Sequence, residues 1–130
     1  MSNRPIIQLS RPSVDVMHAL INAVHADHDT DSREIEVIVN ALDGLDISTL
    51  DGNQIDKVSL LYWLEDNYTQ VAAQYSGSKR DIELVILMTR MARREDLTSI
   101  SKVILDICRA DDVYHPNEKK FLELISSYWV

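Results

Sequence analysis

The residues of this 130-residue chain best suited to chemistry are acidic and fall in two clusters. The first is His25-Ala26-Asp27-His28-Asp29-Thr30-Asp31-Ser32-Arg33-Glu34, with carboxylates at 27, 29, 31 and 34. The second is Ala110-Asp111-Asp112, followed by Glu118 seven residues after Asp111, the interval that also separates Asp27 from Glu34. Clustered carboxylates suit hard divalent cations, because calcium takes roughly six to eight oxygens and accepts carboxylates, loop carbonyls and water. An EF-hand read from Asp27 needs glycine at its sixth position and glutamate at its twelfth. Ser32 and Ile38 stand there, so the loop is not an EF-hand. Zinc prefers nitrogen or sulfur, and His25 with His28 has no matching second pair nearby, so zinc fits less well. The expected metal residues are Asp27, Asp31, Glu34, Asp111 and Glu118, with Asp29 and Asp112 secondary and Ca2+ or another divalent cation as the ion.

Helix capping competes for the same residues. Asp31 with Glu34, and His115 with Glu118, stand three apart at expected helix starts, as capping pairs do. A helix N-terminus stabilises a carboxylate by about 0.3–1 kcal/mol without any metal. Capping accounts for Asp31, Glu34 and Glu118. It accounts less well for Asp27 and Asp111, which are expected at the ends of preceding helices, where the dipole disfavours acids.

The basic residues form a different feature. The chain carries net charge −8, yet residues 79–102 hold six bases and four acids, a net +2, which leaves −10 for the remainder. Arg90, Arg93 and Arg94 are helical neighbours by their spacing. They read either as a solvated helix end or as a docking patch for an acidic partner or a second copy's acidic face. The acidic balance argues against nucleic acid as a partner. One cysteine permits no intrachain disulfide and suits a reducing, cytoplasmic setting. The longest apolar runs, such as Leu60–Leu64 and Leu84–Met88, span five residues, against about 20 for a membrane helix. No Gly-rich phosphate loop, G-x-S-x-G, H-E-x-x-H or C-x-x-C occurs.

Positioning these residues falls to helices. The three glycines and three prolines are segregated, and none lies between 13 and 43, 53 and 76, or 78 and 115. Apolar residues recur every three or four positions: Val14, Met17, Leu20 or Ile21, Val24; then Ile82, Val85 or Ile86, Met88 or Thr89; then Ile100, Ile104, Ile107, Cys108. A long stretch shows an apolar face of Val58, Leu61, Leu64, Tyr68 and Val71. Helices are predicted at 13–26, 32–43, 54–75, 79–94, 98–110 and 116–129, with Ser13 capping the first and Pro116 opening the last. The fold class is all-α, a single helical domain of about six to seven helices over 13–130, preceded by a loose arm over 1–12.

Sliding the chain by 84 residues lays Val16–Ala41 on Ile100–Ile125 and aligns Ala26-Asp27 with Ala110-Asp111 and Glu34 with Glu118. The result is a pseudo-repeat of two helix-loop-helix units. Cys108 falls opposite Val24, which predicts a buried apolar role for the thiol. His18 is expected on a helix flank, and Trp63 and Trp129 in the core.

These paired signatures, an aspartate after alanine with a glutamate seven residues on, resemble those of the TerB-like (tellurite-resistance protein B) family. The stretch from Ile104 through Pro116-Asn117-Glu118-Lys119-Lys120-Phe121-Leu122 is the most similar. The family's glycine after the aspartate is replaced by His28 and Asp112, residue types that tolerate a left-handed backbone. The resemblance implies an all-helical cytoplasmic domain with cation-holding acidic loops, a stress-response or regulatory setting, and no catalysis. The alternative is a protein interaction module whose acids are structural and whose working surface is the Arg90–Arg94 ridge. A metal-dependent hydrolase ranks third, for want of an identifiable nucleophile or general base.

Overall fold

The computed structural model describes residues 6–25, 38–40, 45, 47–75, 77–109, 122–127 and 129, the side chains of residues 24, 25 and 107–109 apart. The chain is an all-α domain. Its described helices are α1 (Arg11–His25), α2 (Lys57–Gln74), a 3-10 turn (Gly77–Lys79), α3 (Arg80–Met91) and α4 (Leu97–Arg109), with further helical residues at 38–40 and 122–127.

α1 is the central element, packed against α2, α3 and, most extensively, α4. Its sequence explains why. From Val16 to Ala23 only His18 and Asn22 are polar, and every other residue in that span is buried. A helix apolar nearly all round belongs inside. Its start departs from expectation: Ser10, not Ser13, precedes the first turn, and its carbonyl accepts from the Val14 N–H. Ser13 lies inside the helix, buried, and its Oγ accepts from the Ser48 N–H at 2.9 Å.

The stretch expected as a loose arm is partly built into the fold. Leu9 is only 5% exposed and bridges Thr49, while the Leu50 N–H donates to the Gln8 carbonyl and the Ser10 N–H to that of Ser48. Residues 48–54 turn back on themselves, with Ser48 bridging Gln54 and Gly52 at φ +85°, a left-handed conformation that glycine adopts without Cβ strain. Among the described residues these isolated bridges are the only β-type pairing, and no strand forms.

Two predicted helix faces are rotated in the structure. α2, capped by the Asp56 carboxylate accepting from Ser59 N–H at 2.7 Å, buries Leu60, Trp63, Leu64, Val71 and Ala72. Val58 and Leu61, assigned to its apolar face, are exposed. α3 buries Leu84, Leu87, Met88 and Met91, which leaves Ile82 and Ile86 on the opposite side. The physical reason lies in the runs Leu60–Leu64 and Leu84–Met88, which are apolar all round, so periodicity alone leaves the buried side open. The boundaries of α1 to α4 otherwise fall within about three residues of those predicted, while the predicted ends of 32–43 and the start of 116–129 lie outside the described residues. Among the described residues, no helix is long and apolar enough to cross a membrane.

Candidate functional site

Arg11 and Pro12 open α1, Arg90 sits in the last turn of α3, and Arg93 and Arg94 follow in the turn that leads to α4. Together with Asp15 these residues line one groove of about 450 Å3. The site therefore lies where the start of α1 meets the end of α3. It takes four arginines and one acid, on a chain that is acidic overall.

The arginines are not equivalent. Arg94 spends its whole fork inside the fold: Nε and Nη2 donate to the two Asp96 carboxylate oxygens, each at 2.9 Å, and Nη1 donates to the Pro12 carbonyl at 3.2 Å. Asp96 directly precedes α4, and its own carbonyl accepts from the Ile100 N–H. Arg94 thus ties the start of α4 to the start of α1, and its hydrogen bonds hold the Asp96 carboxyl below the usual range. Arg90 donates through Nη2 to Asp15 at 2.9 Å, an ion pair with the guanidinium half in solvent. Arg11 and Arg93 are exposed and have no partner among the described residues. Among the described residues the groove consequently offers two unpartnered guanidiniums and one singly anchored one, beside a fourth that positions the wall. Planar guanidinium forks bind carboxylates and phosphates in pairs of parallel hydrogen bonds, which a lysine point charge does not. Lys79 and Lys102, the lysines of the same basic segment, are not among its lining residues.

A second polar region lies one to two turns further along α1. His18 Nδ1 is 2.8 Å from the Tyr75 hydroxyl, and the two rings meet edge to face. Asn22, buried, donates to the His18 carbonyl at 2.8 Å and accepts from Arg80 Nη1 at 3.3 Å. The same Nη1 donates to the Tyr75 carbonyl at 3.1 Å, while the buried Nη2 makes no hydrogen bond among the described residues. Burial lowers the His18 pKa, partly opposed by Asp15, and pushes Tyr75 up to about 12. Both shifts favour the neutral forms, which the Nδ1–hydroxyl hydrogen bond and the edge-to-face ring contact hold together.

His18 also borders the larger cleft, about 580 Å3, between residues 6–9, α1 and α2. Its walls are mainly apolar side chains and amides, with His18 and Asp66 as the titratable groups.

Of the site residues expected from sequence, Arg90, Arg93 and Arg94 come together on this groove, with Arg94 committed to the fold. Asp27, Asp29, Asp31, Glu34, Asp111, Asp112 and Glu118 lie outside the described residues, as does the Cys108 side chain. Among the described residues, no group of three or more His, Cys, Asp or Glu is arranged to hold a metal ion. Sequence reasoning missed Arg11 and Asp15, which reach the groove from a helix some 80 positions upstream. No local signal carries that approach. Comparison with protein-family models, curated proteins and solved structures returns no match.

Proposed function

We propose that this chain is a non-enzymatic helical interaction domain that docks an acidic segment of a partner protein in the arginine groove. One observation carries the reading: four of the chain's eight arginines line one groove with a single acid, on a molecule of net charge −8. Concentrating guanidiniums against the overall charge raises the folded state's self-energy little at an exposed site, but gives a strong local field for an anionic partner. A fluorescently labelled deca-glutamate peptide is the direct probe, read by anisotropy at low and at physiological salt. It should bind, weaken as salt shortens the Debye length to about 8 Å at 0.15 M, and be lost on the Arg11→Glu/Arg93→Glu variant. Absence of binding at low salt, or binding that ignores the double variant, overturns the proposal.

A second reading rests on the matched intervals Asp27–Glu34 and Asp111–Glu118. They follow α1 and α4, helices that pack together and whose starts the Arg94–Pro12 hydrogen bond joins. In this TerB-like reading the acidic junctions hold Ca2+ or another hard divalent cation. Free calcium at a hundredfold its dissociation constant should then stabilise the native state by about 2.7 kcal/mol. Asp27→Asn and Asp111→Asn should each reduce that response more than metal-free stability. An unchanged melt with calcium, magnesium, manganese and zinc ends this reading and leaves the groove proposal untouched.

A further inference from the structure

α3 turns its buried face, Leu84, Leu87, Met88 and Met91, inward. Its opposite face carries Ile82, 65% exposed, and Ile86, 44% exposed, one turn apart. Arg90 follows at the next turn on the same stripe, and Arg93 lies beyond it on the groove rim. Isolated exposed apolar residues are ordinary. Two β-branched residues stacked at i and i+4 and running directly into an arginine groove form a two-part surface, apolar at one end and cationic at the other. The rise of 1.5 Å per residue separates Ile82 from Arg90 by about 12 Å along the helix.

We infer that the partner segment is amphipathic, with apolar side chains seated on Ile82 and Ile86 and carboxylates placed about 12 Å further along, on Arg90, Arg93 and Arg11. The inference rests on the groove reading above and adds the apolar half and its spacing. Charge complementarity selects a protein segment rich in Asp and Glu. A second copy of this chain brings net charge −8 of its own to face −8, and an anionic bilayer meets the same opposing charge, so neither is the favoured occupant. In a helical partner the apolar and acidic groups stand about two turns apart; in an extended one, about four residues apart.

The test is a random 16-residue peptide library displayed on phage and panned on the full chain. Selected peptides are then titrated against Ile82→Ser/Ile86→Ser and Arg11→Glu/Arg93→Glu, all surface changes whose folding is checked by thermal melts. The expected result is a consensus of apolar residues and acids at one of the two spacings, with affinity falling at least tenfold on either variant. Acid-only peptides that ignore the isoleucine variant overturn this inference and leave the proposed function standing. Peptides that ignore the arginine variant, or the absence of any selected peptide, overturn both. Binding to phosphatidylserine vesicles that both variants abolish, with no peptide consensus, assigns the stripe to a membrane and also overturns it.

Discussion

Along α1 two polar neighbourhoods lie within two turns of each other and differ in almost every physical respect. Around Asp15 lie Arg90, its ion-pair partner, the exposed Arg11 and Arg93, and Arg94, which is held on Asp96 and the Pro12 carbonyl. Around His18 and Asn22 the partners are Tyr75 and Arg80, in a mostly buried network in which nearly every polar atom has a hydrogen bond. Exposed ion pairs contribute typically under 1 kcal/mol, whereas a buried group deprived of its partner costs about 1–3 kcal/mol. The inner region therefore sets how α1, α2 and α3 meet. In the outer region Arg11, Arg90 and Arg93 can change partners without disturbing the fold, which is the property a docking surface needs, while Arg94 holds the wall.

The largest expected effect breaks the inner region. Tyr75 is buried and packs against His18, so Tyr75→Ala should cost about 3–5 kcal/mol as a large-to-small core change. Tyr75→Phe keeps the ring and removes only the hydroxyl bound to His18 Nδ1, for a loss of about 1–2 kcal/mol in denaturant unfolding. Losses of under 0.5 kcal/mol for both would show that this network does not organise the helices.

His18 sharpens the comparison through pH. Its folded pKa is lowered from 6.5, chiefly by burial, so the unfolded chain takes up the proton first as pH falls. The stabilisation from neutral His18 is complete above about 6.5 and declines as pH drops below that value toward the folded pKa. His18→Gln should flatten the difference in stability between pH 7.5 and pH 5.5 relative to wild type. An identical pH dependence in both proteins would remove His18 from the buried set.

The smallest effects separate the arginines. Arg94→Ala removes a bidentate pair and the bond to Pro12, and should cost about 1 kcal/mol after discounting for partial exposure. Arg93→Ala should stay within about 0.5 kcal/mol, as solvated surface changes do. Equal costs would mean that the ridge is uniform, either all structural or all free.

How much of this was legible in the sequence varies by region, and for identifiable reasons. The all-α class followed from the segregated glycines and prolines, and the central place of α1 is visible in Val16–Ala23, where only His18 and Asn22 interrupt the apolar run. The clustering of Arg90, Arg93 and Arg94 needed only helical spacing. Arg11 and Ile82 did not yield to it. Arg11 reaches the groove through tertiary packing, and Ile82 was assigned to the core because Leu84–Met88 conceals which side of α3 is buried. The repeat is equally instructive. Val16 with Ile100 and Leu20 with Ile104 are buried at both positions, but Ile21 is fully buried and its mate Leu105 is 37% exposed. A central helix and a peripheral one can share a pattern while facing different surroundings, and residue types alone do not distinguish them. Likewise the pairing of Leu9 with Thr49 had only the Asp51-Gly52 turn dipeptide to announce it.

The central claim is that Arg11, Arg90 and Arg93 can take up a partner while Arg80 cannot, and one spectrum tests it. Arginine Nε–H resonances of 15N-labelled protein, followed during titration with deca-glutamate, report each guanidinium separately. The resonances of Arg11, Arg90 and Arg93 should move in proportion to bound peptide, with that of Arg80 unchanged, because Arg80 is held on Asn22 and the Tyr75 carbonyl. Movement of Arg80 alongside them, or no movement of Arg11 and Arg93, would contradict the account.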